Sequence, residues 1–152
     1  MNPTQNQPKK IFLAEDDADD RMFFEDVLKE VSADTNLVMA DDGVELMNVL
    51  GETVPPPPDM IFLDLNMPRK NGFECLKEIR ETAKLREIPV IIFSTSDNAQ
   101  AIDKTYSLGA NFYMQKPRSF ALLKKAIETI LTKNMESGGT QVSKEKYLLA
   151  IA

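Results

Sequence analysis

Between Pro58 and Pro68 the chain reads Asp59-Met60-Ile61-Phe62-Leu63-Asp64-Leu65-Asn66-Met67. Four consecutive apolar residues, with proline on both sides of the segment, read as a buried strand of a parallel sheet. Asp64 then stands at the carboxyl end of that strand, the edge at which open α/β sheets bind ligands. A second apolar run, Ile11 to Ala14, ends in Glu15-Asp16-Asp17. Two strands delivering carboxylates to one sheet edge make a candidate divalent-metal site.

The rest of the chain alternates between strand and helix patterns. Ala18 to Ser32 carries Phe24, Val27, Leu28 and Val31 at helical spacing. Leu37 to Ala40 is a short strand. Asp42 is placed to cap a helix through Leu50 that turns Val44, Met47 and Leu50 inward. Pro55 to Pro58 form a stiff surface connection, and Met60 to Asp64 is the third strand. Asn71-Gly72 opens a helix through Glu81 with Phe73, Leu76 and Ile79 inward. Val90 to Ser94, after Pro89, is the fourth strand. Ala99 to Leu108 is a helix that Gly109 can end. Asn111 to Gln115 is the fifth strand, and Phe120 to Leu131 a last helix with Phe120, Leu123, Ile127 and Ile130 on one face. The fold class is therefore α/β: a (βα)5, doubly wound, five-stranded parallel sheet with helices on both faces. Residues 1–8 read as a disordered lead and 9–133 as the folded domain. Residues 134–152 read as a tail, flexible or forming a short docking helix, with Ser137-Gly138-Gly139-Thr140 as a linker. Tyr147 to Ile151 is its apolar segment.

Composition removes several function classes. The 152 residues carry a net charge of −6, which argues against non-specific binding to nucleic acid or anionic membranes. One cysteine, Cys75, excludes an internal disulfide and suits a reducing compartment, so a cytoplasmic location is expected. With no histidine and one cysteine, zinc sites and histidine acid–base catalysis are out. No stretch is apolar for long enough to span a bilayer.

Glu15-Asp16, Asp64, Ser94 and Lys116-Pro117 together resemble the receiver domain of two-component response regulators over about residues 9–133. Asp64 to Gly72 and Leu85 to Pro89 further resemble single-domain regulators of the cyanobacterial phytochrome type. The resemblance implies the flavodoxin-like strand order 2-1-3-4-5 and makes Asp64 the phosphoacceptor. It makes Asp16, Asp64 and the backbone carbonyl of Asn66 ligands of Mg2+, with Glu15 acting through water and Mn2+ or Ca2+ able to substitute. Clustered carboxylates repel unless a cation joins them, and Mg2+ takes oxygen ligands and bridges to phosphate. Asp17, Asp19 and Asp20 read instead as a solvated helix N-terminus.

By the same resemblance Lys116 pairs first with Asp64 and then with the phosphoryl group, the Lys116–Pro117 bond is cis, and Ser94 donates its hydroxyl to the phosphoryl oxygens. Ser94 is chosen over Thr95 and Ser96 because it directly follows the apolar run, 30 residues after Asp64 and 22 before Lys116. Tyr113 matches the family's switch aromatic, expected to turn inward when Ser94 moves. Asn66 and Ser96 flank the site and are placed to influence hydrolysis. The implied partners are a histidine kinase or phosphotransfer protein and a downstream protein target, with a homodimer through the switch surface also open. Chemistry on other molecules is not expected, so the chain is not read as an enzyme. The alternatives weighed are a phosphorelay intermediate, a haloacid-dehalogenase-type phosphatase, a flavodoxin-like nucleotide or flavin module and an inert scaffold. The phosphatase would need an acid where Asn66 stands. The nucleotide module would need a glycine-rich loop where Glu15-Asp16-Asp17 stands.

Overall fold

A computed structural model describes residues 9–137 and 140–149, apart from the side chains of 135–137. Its strands are β1 (Lys10–Ala14), β2 (Asn36–Ala40), β3 (Met60–Leu63), β4 (Val90–Ser94) and β5 (Phe112–Gln115). They pair in parallel in the order β2-β1-β3-β4-β5, as expected. The intervening helices are α1 (Ala18–Val31), α2 (Gly43–Thr53), α3 (Gly72–Glu81) and α4 (Ala99–Ser107), followed by α5 (Phe120–Ser137) and a short α6 (Lys144–Tyr147). Residues 1–8, both linker glycines and residues 150–152 lie outside the described residues.

Alternation along each strand divides the interior in two. Ile11, Leu13, Phe62, Ile91, Phe93 and Met114 face α1 and α5. Phe12, Ala14, Ile61, Leu63, Ile92 and Tyr113 face α2, α3 and α4. The central strands are buried on both faces, which is why β3 and β4 read as unbroken apolar runs. Under α1, Phe24 meets Phe62 and Phe93 edge to face, with ring centroids 4.9 and 5.5 Å away.

The local signals mostly act as read. Asp17, Asp42, Asn71 and Asn98 cap α1 to α4 through their side chains, and Asn71 forms a reciprocal capping box with Glu74. Gly109 ends α4 at φ +99°, a conformation that favours glycine. The α2 face differs from expectation. Leu46 and Leu50 are buried, whereas Val44 and Met47 are half-buried. Gly43 sets this rotation by lying against α3, where its carbonyl accepts a 3.6 Å hydrogen bond from the Cys75 thiol. Helix α5 continues to Ser137, past the expected end at Leu131.

Lys116–Pro117, expected to be cis, is not. The cis bonds among the described residues are Val54–Pro55 and Pro55–Pro56. The trans form of an X-Pro bond lies about 0.5–1 kcal/mol lower, and from it the Lys116 amine already reaches its carboxylates.

Candidate functional site

The parallel sheet brings one polar residue from each of four strand ends to its carboxyl edge. Glu15 follows β1, Asp64 follows β3, Ser94 ends β4 and Lys116 follows β5. Backbone hydrogen bonds hold them level. The amide of Asp64 donates to the Ala14 carbonyl at 3.0 Å, and that of Lys116 to the Ser94 carbonyl at 2.8 Å.

The Lys116 ammonium is the hub. It forms an ion pair with Glu15, and it lies 3.1 Å from Asp20 Oδ2 and 3.7 Å from Asp64 Oδ2. It also sits 5.3 Å above the centre of the Phe93 ring. Glu15 is wholly buried and Asp64 4% exposed. Glu15 Oε2 accepts from the Asp17 amide at 3.1 Å, and the Arg21 guanidinium donates to the Glu15 carbonyl at 2.7 Å. Burial pushes the Glu15 carboxyl up to about 7; Lys116 pulls it down and Asp64 pushes it further up. Burial also raises Asp64, against the pull of Lys116. Lys116 is itself disfavoured as a cation by burial, but Glu15, Asp64 and Asp20 outweigh this and hold its pKa above the ordinary value.

Carboxylate oxygens of Glu15, Asp16 and Asp64 all lie within 4.8 Å of one another, with Asp16 exposed to solvent. Three hard oxygen donors, two of them raised in pKa by burial, fit a divalent cation that would offset their mutual repulsion. Asn66 flanks the cluster, its amide 3.4 Å from Asp64 Oδ1. The Ser94 hydroxyl is wholly buried and accepts from the Ser96 amide at 3.1 Å. A cavity of about 310 Å3 runs between the β3–α3 and β4–α4 loops, lined in part by Asn66, Phe73, Ser94, Ser96 and Lys104.

Three features depart from the sequence reading or were missed by it. Asp20 is not merely solvated: from the first turn of α1 it accepts from Lys116 across the site, a partner 96 residues away that the local sequence does not announce. Arg69, at φ +65°, forms a 2.6 Å ion pair with Asp42, which ties the loop after Asp64 to the start of α2. Nothing in the local sequence announces that pair. Tyr113, expected to turn inward on switching, is already wholly buried, and its hydroxyl donates to the Ser96 carbonyl at 2.8 Å.

A five-stranded parallel sheet with this acidic edge, serine and lysine defines a class. The chain belongs to the response regulator receiver domain family, whose model matches residues 11–128. Response regulator Rcp1 of Synechocystis sp. is 37% identical over 134 residues, covering 86% of this chain and 91% of that protein. Among solved structures, the phosphorylated cyanobacterial phytochrome response regulator RcpA superposes with a TM-score of 0.77 at 34% identity, over 86% of this chain and 96% of that one. The Mn2+-bound form of Rcp1 gives 0.73 at 36% identity, over 82% and 93%. The protein is thus a receiver-type response regulator of two-component signalling. Phosphorylation of an aspartate with a divalent metal is typical of this family, whose members are typically non-enzymatic signalling proteins that interact with histidine kinases and downstream targets. No described helix is long and apolar enough to cross a membrane.

Proposed function

We propose that Asp64 is the phosphoryl acceptor and that the surrounding carboxylates form its Mg2+ site. One observation carries this reading: of the clustered carboxylates, Asp64 alone follows the central strand β3, between Glu15 and Asp16 after β1 and Ser94 on β4, with the Lys116 ammonium 3.7 Å away. Asp16, Asp64 and the Asn66 carbonyl would hold the ion, and Glu15 would act through water. Mn2+, which Rcp1 binds in its crystal structure, or Ca2+ would substitute. When bound, the ion supplies charge neutralisation at the carboxylates and the incoming phosphoryl oxygens.

The protein's own residues do the rest. An ionised Asp64 oxygen attacks phosphorus, an O–P bond forms, and the bond from phosphorus to the donor's imidazole nitrogen breaks. The electron pair of that bond stays on the nitrogen. Lys116 holds Asp64 in place and then follows the phosphoryl charge. Ser94 donates its hydroxyl proton to a phosphoryl oxygen while its oxygen still accepts from the Ser96 amide. That bond favours the present arrangement of the Ser94–Asn98 loop, with Tyr113 buried, and through it the matching surface of α4, β5 and α5, biasing an existing equilibrium. Output is by contact with a protein target. RcpA is a phytochrome response regulator, so a phytochrome-type histidine kinase is the first partner to test. Residues 9–133 form the receiver unit and 134–152 an appended segment, in a cytoplasmic protein.

The test is intact mass after incubation with Mg2+ and acetyl phosphate. Wild type gains one phosphoryl group that hydroxylamine removes and EDTA prevents, and Asp64→Asn gains none. A wild type that stays unmodified with both acetyl phosphate and a phosphorylated phytochrome kinase defeats the proposal. A homodimer through the α4–β5–α5 surface predicts concentration-dependent sedimentation of the phosphorylated form, and a monomer at high concentration defeats it.

A further inference from the structure

The chain's own C-terminal segment seals the β5 edge of the sheet. Leu148 forms a parallel bridge to Tyr113, and the Leu149 amide donates to the Tyr113 carbonyl at 2.9 Å. The open edge of β5 is therefore blunted at its centre. Tyr147 is wholly buried; its hydroxyl donates to Thr105 Oγ1 at 2.6 Å, and its ring stands edge-on to Tyr106 and Tyr113, with centroids 5.0 and 6.2 Å away. Gln141 Nε2 donates to the carbonyls of Tyr106 and Ala110, both at 2.8 Å, and Tyr106 returns a 2.9 Å bond to the Val142 carbonyl. Leu149 is buried on the opposite face of the sheet, among the α1–α5 apolar residues. The segment thus clasps the edge strand from both sides, with Gln141, Val142 and Tyr147 hydrogen-bonded to α4.

This clasp leads to the site in three contacts. Tyr147 packs on Tyr113, Tyr113 donates to the Ser96 carbonyl, and the Ser96 amide donates to Ser94 Oγ. Tyr113 has no exposed surface while Tyr147 lies beside it, so the buried position of Tyr113 and docking of the segment favour one another.

We propose that residues 141–149 are an intramolecular ligand of the α4–β5 surface whose docking is reciprocally coupled, through Tyr113 and Ser96, to occupancy of the Asp64 site. The docked segment holds the Ser94–Asn98 loop pre-organised for a phosphoryl group. By linkage, a phosphoryl group tightens the segment by the same factor. A protein target that reads this surface meets the docked segment first. The coupling to site occupancy rests on the phosphorylation reading above; the order that the segment imposes on the Ser94–Asn98 loop does not.

The experiment compares full-length wild type with Tyr147→Ala and, separately, Leu149→Asp, each checked for native circular dichroism. Without ligand, hydrogen exchange in peptides covering 94–98 and 112–115 should be several-fold faster in both variants. Beryllofluoride with Mg2+, a phosphoryl mimic, should bind them about five-fold more weakly or worse, at the lower end of ordinary coupling between sites. Unchanged ligand-free exchange in both folded variants overturns the proposal, whatever the phosphoryl chemistry does. Faster exchange with unchanged beryllofluoride binding means no coupling and overturns the proposal; faster exchange with tighter binding overturns the stated direction. A wild type that ignores beryllofluoride defeats the phosphorylation reading, and ligand-free exchange then decides whether the segment orders the Ser94–Asn98 loop. Exchange protection of 141–149 that depends on protein concentration assigns the segment to a second copy and overturns the intramolecular form.

Discussion

Lys116 holds one positive charge against Glu15, Asp20 and Asp64, so without a metal ion the buried cluster carries an excess of negative charge. The unfolded chain releases the Glu15 proton near 4.5, whereas the native protein keeps it to about 7. Between those values the native state binds more protons than the unfolded state. Stability from this group is therefore full below 4.5 and lost as pH rises through 7, and Asp64 adds to the same trend. Urea denaturation in EDTA should show this slope in wild type and a reduced one in Glu15→Gln. Added Mg2+ should stabilise more at pH 8 than at pH 5, because binding needs ionised ligands. Replacing Lys116 with Met leaves two buried carboxylates unpaired, and in EDTA at pH 8 it should destabilise by about 3 kcal/mol. At pH 5, where the acids take up protons, the loss should shrink. That Glu15, Asp64, Ser94 and Lys116 would meet at one sheet edge was legible because each stands at the end of a strand pattern. Asp20 and Arg69 were not, because their partners come from remote parts of the chain: Lys116 across the sheet, and Asp42 at the start of α2.

At the scale of elements, close approach matters more than propensity. The amide of Gly72 donates to the Leu65 carbonyl at 3.0 Å, and a methyl group there would stand 2.3 Å from the Asp64 carbonyl oxygen. The start of α3 is therefore pressed onto the end of β3. Gly72→Ala should cost about 2 kcal/mol by overpacking, lower Tm by roughly 6 °C and slow phosphorylation by acetyl phosphate. Thermal melts and intact-mass kinetics would check both. Similar crowding explains the α2 phase: a helical stripe of Val44, Met47 and Leu50 was visible in the sequence, but Gly43 packed against α3 rotates Leu46 inward. Strand order followed from alternation and resemblance. Contact between helices depends on side chains distant in sequence and could not be read from a single segment.

For the whole molecule, the tail was the least legible part. Tyr147 and its neighbours suggested docking, while the Ser-Gly-Gly stretch suggested freedom, and composition could not choose between them. The choice follows from an edge strand that needs covering and from acceptors on α4 at the right height. The same arrangement has an optical consequence. The chain has no tryptophan, and its three tyrosines, Tyr106, Tyr113 and Tyr147, all meet at the seam between tail and sheet edge. Tyrosine emission from the unlabelled protein therefore comes from that seam, and its intensity and anisotropy would report the docking proposed for residues 141–149 with no dye attached.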